Sequence, residues 1–408
     1  MDQGAIGTAT RDLYNKAGVT LSSINDFKRS PEEALQIDAG AGLVFDDLGI
    51  AVLNAQPDQI GAMGVAVASN PAFQLVEPER VVYAMGDIDL SYLRGYRDAV
   101  VHLVDRMLEG SDRAAIGATG YDENFCSWAL QATGVDRTRL SGRSMKVAIL
   151  DTGLDLGHPD FAGRSITSQS FVAGIDTAHD GNGHGTHCTG LACGPERPGR
   201  PPRYGIAYEA EIFIGKVLND AGHGDDGSIL SGLQWAITNG CQVISMSLGA
   251  KVAPGVAYSR IFEQAAKRAL EKGSLIIAAA GNDSRRPGQI WPVSHPANCP
   301  SIVAVAAVDR KLLPARFSNG GVDQDGKQID IAAPGVDVPS SWPSPTLYRE
   351  ESGTSMATPI VAGIAALFAG ADPNSRGRAL LAELLQAARR TASSAADVGM
   401  GIVQAPKL

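Results

Sequence analysis

The stretch MKVAILDTGLD (145–155) decides how this chain is read: an unbroken apolar strand runs straight into a carboxylate and a glycine turn. An apolar run without alternation is the mark of a strand buried on both faces. The pattern recurs downstream in AEIFIGKVL (210–218), QVISMSL (242–248), SLIIAAA (274–280) and SIVAVAAVD (301–309). Between these lie helical stretches, HGTHCTGLAC (184–193), SILSGLQWAITNG (228–240) and RIFEQAAKRALEKG (260–273). Apolar strands alternating with helices predict an α/β fold, a parallel sheet covered on both faces. In such sheets the functional groups gather in loops at the carboxyl ends of the strands.

The strand ends carry an unusual set of groups. MKVAIL delivers Asp151, SLIIAAA delivers Gly281-Asn282-Asp283, and QVISMSL ends at Gly249. The loop DGNGHGTHCTG (180–190) places His184 at a helix start, and GTSMATP (353–359) places Ser355 at another, ahead of the apolar run IVAGIAALFAG. Singly, each has a bland reading. An Asp after a strand is a turn residue or cap, a Ser before an apolar run is an N-cap, and an Asn after Gly is a turn. A lone His on a helix of small residues is ordinarily packed or surface-exposed. Independent turns, however, have no reason to supply these four different groups together.

Nucleophilic catalysis needs such a set. A serine hydroxyl is a weak nucleophile until an imidazole takes its proton. The imidazole needs a carboxylate to fix its tautomer, and the oxyanion needs preorganised donors such as an amide side chain and a helix N-terminal N–H. The chain order Asp, His, Ser is that of subtilisin rather than chymotrypsin or the α/β-hydrolases.

The sequence resembles the subtilisin family (subtilases) through VAILDTGLD (147–155), HGTHCTG (184–190), SMSLGA (245–250), AAAGND (278–283), AAPG (332–335) and GTSMATP (353–359), over about residues 126–405. The resemblance implies a subtilisin-like three-layer fold with a mostly parallel central sheet. It implies Asp151 as the residue orienting His184, His184 as general base and acid, and Ser355 as nucleophile. Asn282 and the Ser355 backbone N–H would form the oxyanion hole. Ser247, Leu248 and Gly249 resemble an edge strand that pairs with substrate, while Ala279, Ala280 and Gly281 resemble a wall of the pocket for the residue before the cleaved bond. By the same match His187 is structural. Cys188, one helical turn after His184, is a buried small hydrophobe lying beneath the histidine. Pro359 is read as sitting near enough to the helix start for its missing N–H to cost little.

No cofactor is required on this reading. The loop after the His184 helix, GPERPGRPPRYGIAYEA (194–210), holds only Glu196 as a carboxylate before Tyr204, so a tight calcium site is not carried over. Weak calcium binding stays open, for example at GHGDDG (222–227). Asp225 and Asp226 in that loop are read as a solvated pair, with preference for a basic substrate residue as the alternative. Relatives that cleave after basic pairs carry an Asp directly after the catalytic one; here it is Thr152.

Ahead of this region, LGIAVLNAQPDQIGAM with FQLVEPERVVYAM resembles the inhibitor-type pro-domain of subtilases, a small α+β, ferredoxin-like module whose end lies in the substrate cleft. Residues 42–55 read as a strand, 57–69 as a helix, and 73–85 as a strand or hairpin interrupted at Pro78. The first 30 residues are unassigned, 31–87 form the pro-domain, 88–125 a helix (88–109) and polar linker, and 126–408 the catalytic domain. Autocatalytic processing is expected within 86–125.

Composition sets the remaining bounds. With 44% apolar and 19% charged residues the chain can bury a sizeable core. A net charge of −9 argues against nucleic acid or an anionic membrane surface as partner. The longest apolar run, about 357–371, falls short of the ~20 residues of a membrane span and reads as a core helix. Cys126, Cys188, Cys193, Cys241 and Cys299 form no disulfide or zinc pattern and are expected to be mostly free and buried. No signal peptide is visible, so the chain reads as cytoplasmic as written, or extracellular if an export signal was removed. Polypeptide substrates and the chain's own pro-domain, in cis or in trans, are the expected partners of a monomer. The leading function is a broad-specificity serine endopeptidase made as an autoinhibited zymogen. A dedicated processing or peptide-cyclising subtilase is a second reading, and a catalytically inactive binding module a third, which the intact residue set opposes.

Overall fold

The computed structural model describes residues 3–27, 37–70, 73, 75–85, 120–321 and 328–407. The N-terminal module opens with helix α1 (Gln3–Ala17) and strand β1 (Thr20–Ser23), in the stretch that the sequence left unassigned. Residues 42–55 form a hairpin, β2 (Ala41–Phe45) and β3 (Ile50–Asn54), because the polar turn at Asp46–Gly49 folds the expected single strand back on itself. Helix α2 (Pro57–Ser69) begins with Pro57 in its first turn, and a reciprocal capping box between Gln56 and Gln59 closes its N-terminus. Leu13, Ala17, Val19, Met63 and Ala66 form the small core under α1 and α2. The described residues give this module a three-stranded sheet with β1 parallel to β2, so they do not complete a ferredoxin-like arrangement. Strand β4 (Val81–Ala84) leaves the module. The expected helix 88–109 lies outside the described residues.

The larger, C-terminal part carries β5 (Lys146–Asp151), β6 (Ile166–Ser170), α3 (His184–Cys193), β7 (Glu211–Lys216), β8 (His223–Asp225), α4 (Asp226–Thr238), β9 (Val243–Met246) and β10 (Leu248–Gly249). It continues with α5 (Arg260–Glu271), β11 (Leu275–Ala279), β12 (Val303–Val308), β13 (Ile331–Pro334) and α6 (Thr354–Ala371). Seven strands form one sheet in the order β13-β12-β11-β9-β5-β7-β6, and every pairing is parallel.

The alternation hidden inside β5 explains the three layers. Val147 and Ile149 face the core shared with α3 and α6, while Ala148 and Leu150 face the core shared with α4 and α5. Both faces are buried, which is why the strand reads as continuously apolar. Leu43, Phe45, Leu48, Ile50 and Val82 of the N-terminal module join the second core, so the two parts are packed together through apolar surface. Helix α6 is long and apolar enough to cross a membrane by length and composition, yet 83% of it is buried in this fold. All five cysteines are free, four of them buried.

Candidate active site

Asp151 is the last residue of β5 and 1% exposed; His184 is the first residue of α3. Their side chains meet with Nδ1 of His184 2.7 Å from Oδ1 of Asp151. An ionised carboxylate can only accept, so Nδ1 carries the proton and Nε2 is left as the free lone pair. Among the described residues that Nε2 has no hydrogen-bond partner. Burial, the largest single influence, pushes the imidazole pKa down, but the charge of Asp151, the neighbouring Cys188 and the hydrogen bonds to both together outweigh it and hold the ring well above its ordinary value.

A residue that sequence reasoning missed locks this pair. The buried Asp180 accepts from Thr152 Oγ1 (2.8 Å), from the N–H groups of Asn182 (3.1 Å) and Gly183 (2.8 Å), and from Thr186 N and Oγ1 (2.8 and 2.7 Å). Thr152 Oγ1 in turn accepts from Gly185 N at 2.8 Å. The turn after Asp151 and the start of α3 are thereby one hydrogen-bonded unit. The only sequence signal was an Asp four residues before His184, which a turn explains equally well. Lys216, fully buried at the end of β7, donates to the Thr152 carbonyl and to Asp220, each at 2.5 Å.

Ser355 is the second residue of α6. Its Oγ donates to the Ser247 carbonyl at 3.2 Å rather than to His184. Pro359 corrects the expectation made for it. It lies in the helix interior, where its missing N–H would have bonded the Ser355 carbonyl four residues back. That carbonyl instead accepts from Ser247 Oγ at 2.9 Å and from Cys188 Sγ at 3.5 Å. The proline thus frees an acceptor that ties the serine to the edge strand and to α3. Cys188 also lies 3.9 Å from Nδ1 of His184, directly beneath the ring as expected. His187 packs as a structural residue, its Nε2 3.1 and 3.2 Å from the carbonyls of Val338 and Arg349, and burial pushes its pKa down to about 3.

Asn282 is aimed by Thr354. Its Oδ1 accepts from Thr354 N and Oγ1, both at 2.9 Å, which turns Nδ2 outward. That Nδ2 donates to the carbonyl of Met85 at 2.5 Å. A side chain on Gly353 would stand 2.8 Å from the same carbonyl, so only glycine admits this approach. Gly281, before Asn282, has a φ of 110° and no room for a Cβ beside Ser294 and Asn319. Asn319, also missed from sequence, holds the Asn282 loop by accepting from Asp283 N, Ser284 N and Ser284 Oγ. Ala279 ends β11 and Ala280 follows it, both fully buried.

The cleft in front of these groups holds β4. It pairs antiparallel with β10 on one side, Leu248 opposite Ala84 and Gly249 opposite Tyr83, and antiparallel with β8 on the other. The Met85 N–H donates to the Ser247 carbonyl at 3.0 Å, and the Met85 side chain is buried against Gly249. Ser247, Leu248 and Gly249 therefore pair with an extended segment of the same chain.

Carboxylates near the two places considered for calcium accept from protein donors. Asp160, facing the loop after α3, accepts from Gly199 N (2.8 Å), Tyr204 Oη (2.5 Å) and Tyr348 Oη (3.2 Å). Asp225 caps α4 through Ser228 N, and Asp226 is engaged by Arg80 and His295. Of the pair that the sequence suggested is solvated, Asp225 is exposed, whereas Asp226 is buried and paired.

An α/β sheet with an acid, an imidazole, a hydroxyl and an amide gathered at its carboxyl edge is the architecture of a serine hydrolase. Residues 142–402 match Peptidase_S8, the subtilase family, and the chain belongs to that family. It is similar to subtilisin DY of Bacillus licheniformis, 39% identical over 238 residues, 58% of this chain and 81% of that protein. Similarity to subtilisin Savinase of Lederbergia lenta is 40% over 245 residues, 60% of this chain and 83% of the relative. Against M-protease of Shouchella clausii (strain KSM-K16) it is 40% over 245 residues, and the match spans 60% of this chain and 59% of that protein.

Proposed function

We propose that the protein is a serine endopeptidase, made as a zymogen that cleaves itself at the Met85–Gly86 bond. Ser355 attacks, His184 takes its proton at Nε2 and returns it to the leaving amine, and Asp151 stabilises the imidazolium. Asn282 Nδ2 and the N–H groups at the start of α6 receive the oxyanion.

The observation that carries this reading is the seating of Met85. Its N–H is on the edge strand, its side chain is buried, and its carbonyl oxygen lies on the one amide donor whose orientation Thr354 fixes. This is how the acyl side of a scissile peptide bond would lie. It narrows the processing site from the interval 86–125 to the bond at its upstream border. The same seating supports autoinhibition, since β4 fills the strand position that a substrate needs.

The test compares the wild-type chain with Ser355→Ala by intact mass and N-terminal sequencing. The wild type should yield a new N-terminus at Gly86, while Ser355→Ala remains 408 residues long. Identical full-length chains in both would refute self-processing.

A further inference from the structure

Arg80, the sixth residue counting back from the Met85–Gly86 bond, is engaged outside its own segment by one side chain among the described residues, Asp226. Oδ2 of Asp226 accepts from the Arg80 backbone N–H at 3.1 Å and lies 3.4 Å from its Nη1, while the Asp226 N–H donates to the Arg80 carbonyl at 3.2 Å. The other oxygen, Oδ1, is 3.2 Å from Nε2 of His295. The His295 ring is 2% exposed and held edge-on by Phe262, with centroids 4.6 Å apart. One carboxylate oxygen is thus fixed from behind and the other is presented to the chain in the cleft. The Asp226 side chain is 9% exposed with the segment in place, so a bound chain removes it from water.

We propose that Asp226 is a specificity-determining residue that selects polypeptides with Arg, or less strongly Lys, at the sixth position before the cleaved bond. The proposal rests on reading β4 as a substrate mimic. Backbone pairing along β8 and β10 is indifferent to sequence, whereas a desolvated carboxylate is not. A neutral side chain at the sixth position leaves Asp226 without its cation, and an acidic one adds repulsion. Arg80 has a second partner within its own segment, Glu77 at 3.3 Å. Glu77 is itself held by Ser259 Oγ and Arg260 N, so Asp226 is the cationic residue's direct contact on the cleft that a substrate lacking that Glu would keep. Arg is favoured over Lys because its planar fork is preorganised for a carboxylate.

The experiment uses the full chain after self-processing and three acetylated, internally quenched peptides copying residues 80–87, with Arg, Ala or Glu at the first position. At low salt kcat/KM should be about fivefold higher for Arg than for Ala, the size of a partly exposed ion pair, and lower again for Glu. Raising the salt to about 0.5 M should shrink the Arg-to-Ala ratio, as screening requires and as a purely structural role for Asp226 would not. Asp226→Asn should bring the ratio close to one. The salt series on the unaltered protein stands even where that variant folds poorly. Equal kcat/KM for the three peptides, or an unchanged ratio in Asp226→Asn, overturns the subsite and leaves the protease reading intact. Failure to cut any of them overturns the protease reading and this proposal with it.

Discussion

His184 sits between burial, which lowers its pKa, and the combined pull of the facing Asp151 carboxylate and the neighbouring Cys188, and the latter prevail. In the proposed mechanism His184 can act as base only when Nε2 is unprotonated. Because the proton is held above the ordinary value of 6.5, kcat/KM should be low at pH 6 and rise as pH climbs through that raised value. A pH–rate profile whose acidic limb falls below 6.5 would contradict the geometry. Cys188 lies under the same ring, and Asp151, His184 and Cys188 bring their ligand atoms within 4.8 Å of one another. A thiophilic mercurial at Sγ should therefore displace the imidazole and inhibit partially. Cys188→Ala should be resistant; full activity in a Cys188-labelled wild type would end the idea. At this scale the sequence was highly informative. The proposed roles of Asp151, His184, Asn282 and Ser355 could be read from the sequence because their types and order serve a known chemistry. Asp180, Thr354 and Asn319 were not, because a polar residue in a loop gives no sign of which distant donor it will meet.

Elements position these residues through contacts that cross the chain. Ser247 pins the nucleophile's backbone by donating to the Ser355 carbonyl that Pro359 leaves free. Ser247→Ala removes that donor and leaves a buried carbonyl with only the weak Cys188 thiol. The cost should be about 1 kcal/mol, or a Tm lower by about 2–4 °C, with a fall in kcat. Calorimetry and kinetics on the processed protein check it, and an unchanged Tm would mean the bond carries no load. The strands and helices of the sheet were legible because burial on both faces writes continuous apolar runs. The β2–β3 hairpin was not, since its four-residue turn looked like a polar interruption in one strand. Strand β4 could be seen as a strand, but its partners β8 and β10 are about 140 and 165 residues away in sequence, and only the fold supplies them.

Across the whole molecule, the N-terminal module docks by capping two helices of the catalytic part. Glu77 accepts from Arg260 N at 2.8 Å at the start of α5, and Glu79 accepts from Gly227 N at 2.7 Å at the start of α4. Both carboxylates face positive helix ends. Burial, with the Asp225 and Asp226 charges, nevertheless raises the Glu79 pKa in the docked state, against the Gly227 N–H that lowers it. A raised docked-state pKa means that docking takes up a proton. Glu79 should favour docking at pH values below its ordinary 4.5, and that contribution should be lost as pH rises through the raised value. Inhibition of the processed protein by the added N-terminal module, measured against pH, should show this loss, and Glu79→Gln should flatten it. A pH dependence unchanged in Glu79→Gln would contradict the assignment. The interaction was legible only as a resemblance at VEPERVVYA, because charge on a loop says nothing of the helix end it will cap. The central claim is that Ser355 is the activated nucleophile of this assembly. Its most direct measurement is mass mapping of a fluorophosphonate probe on the processed protein: the account predicts a label on Ser355 that His184→Ala abolishes, and an unlabelled Ser355 in wild type would contradict it.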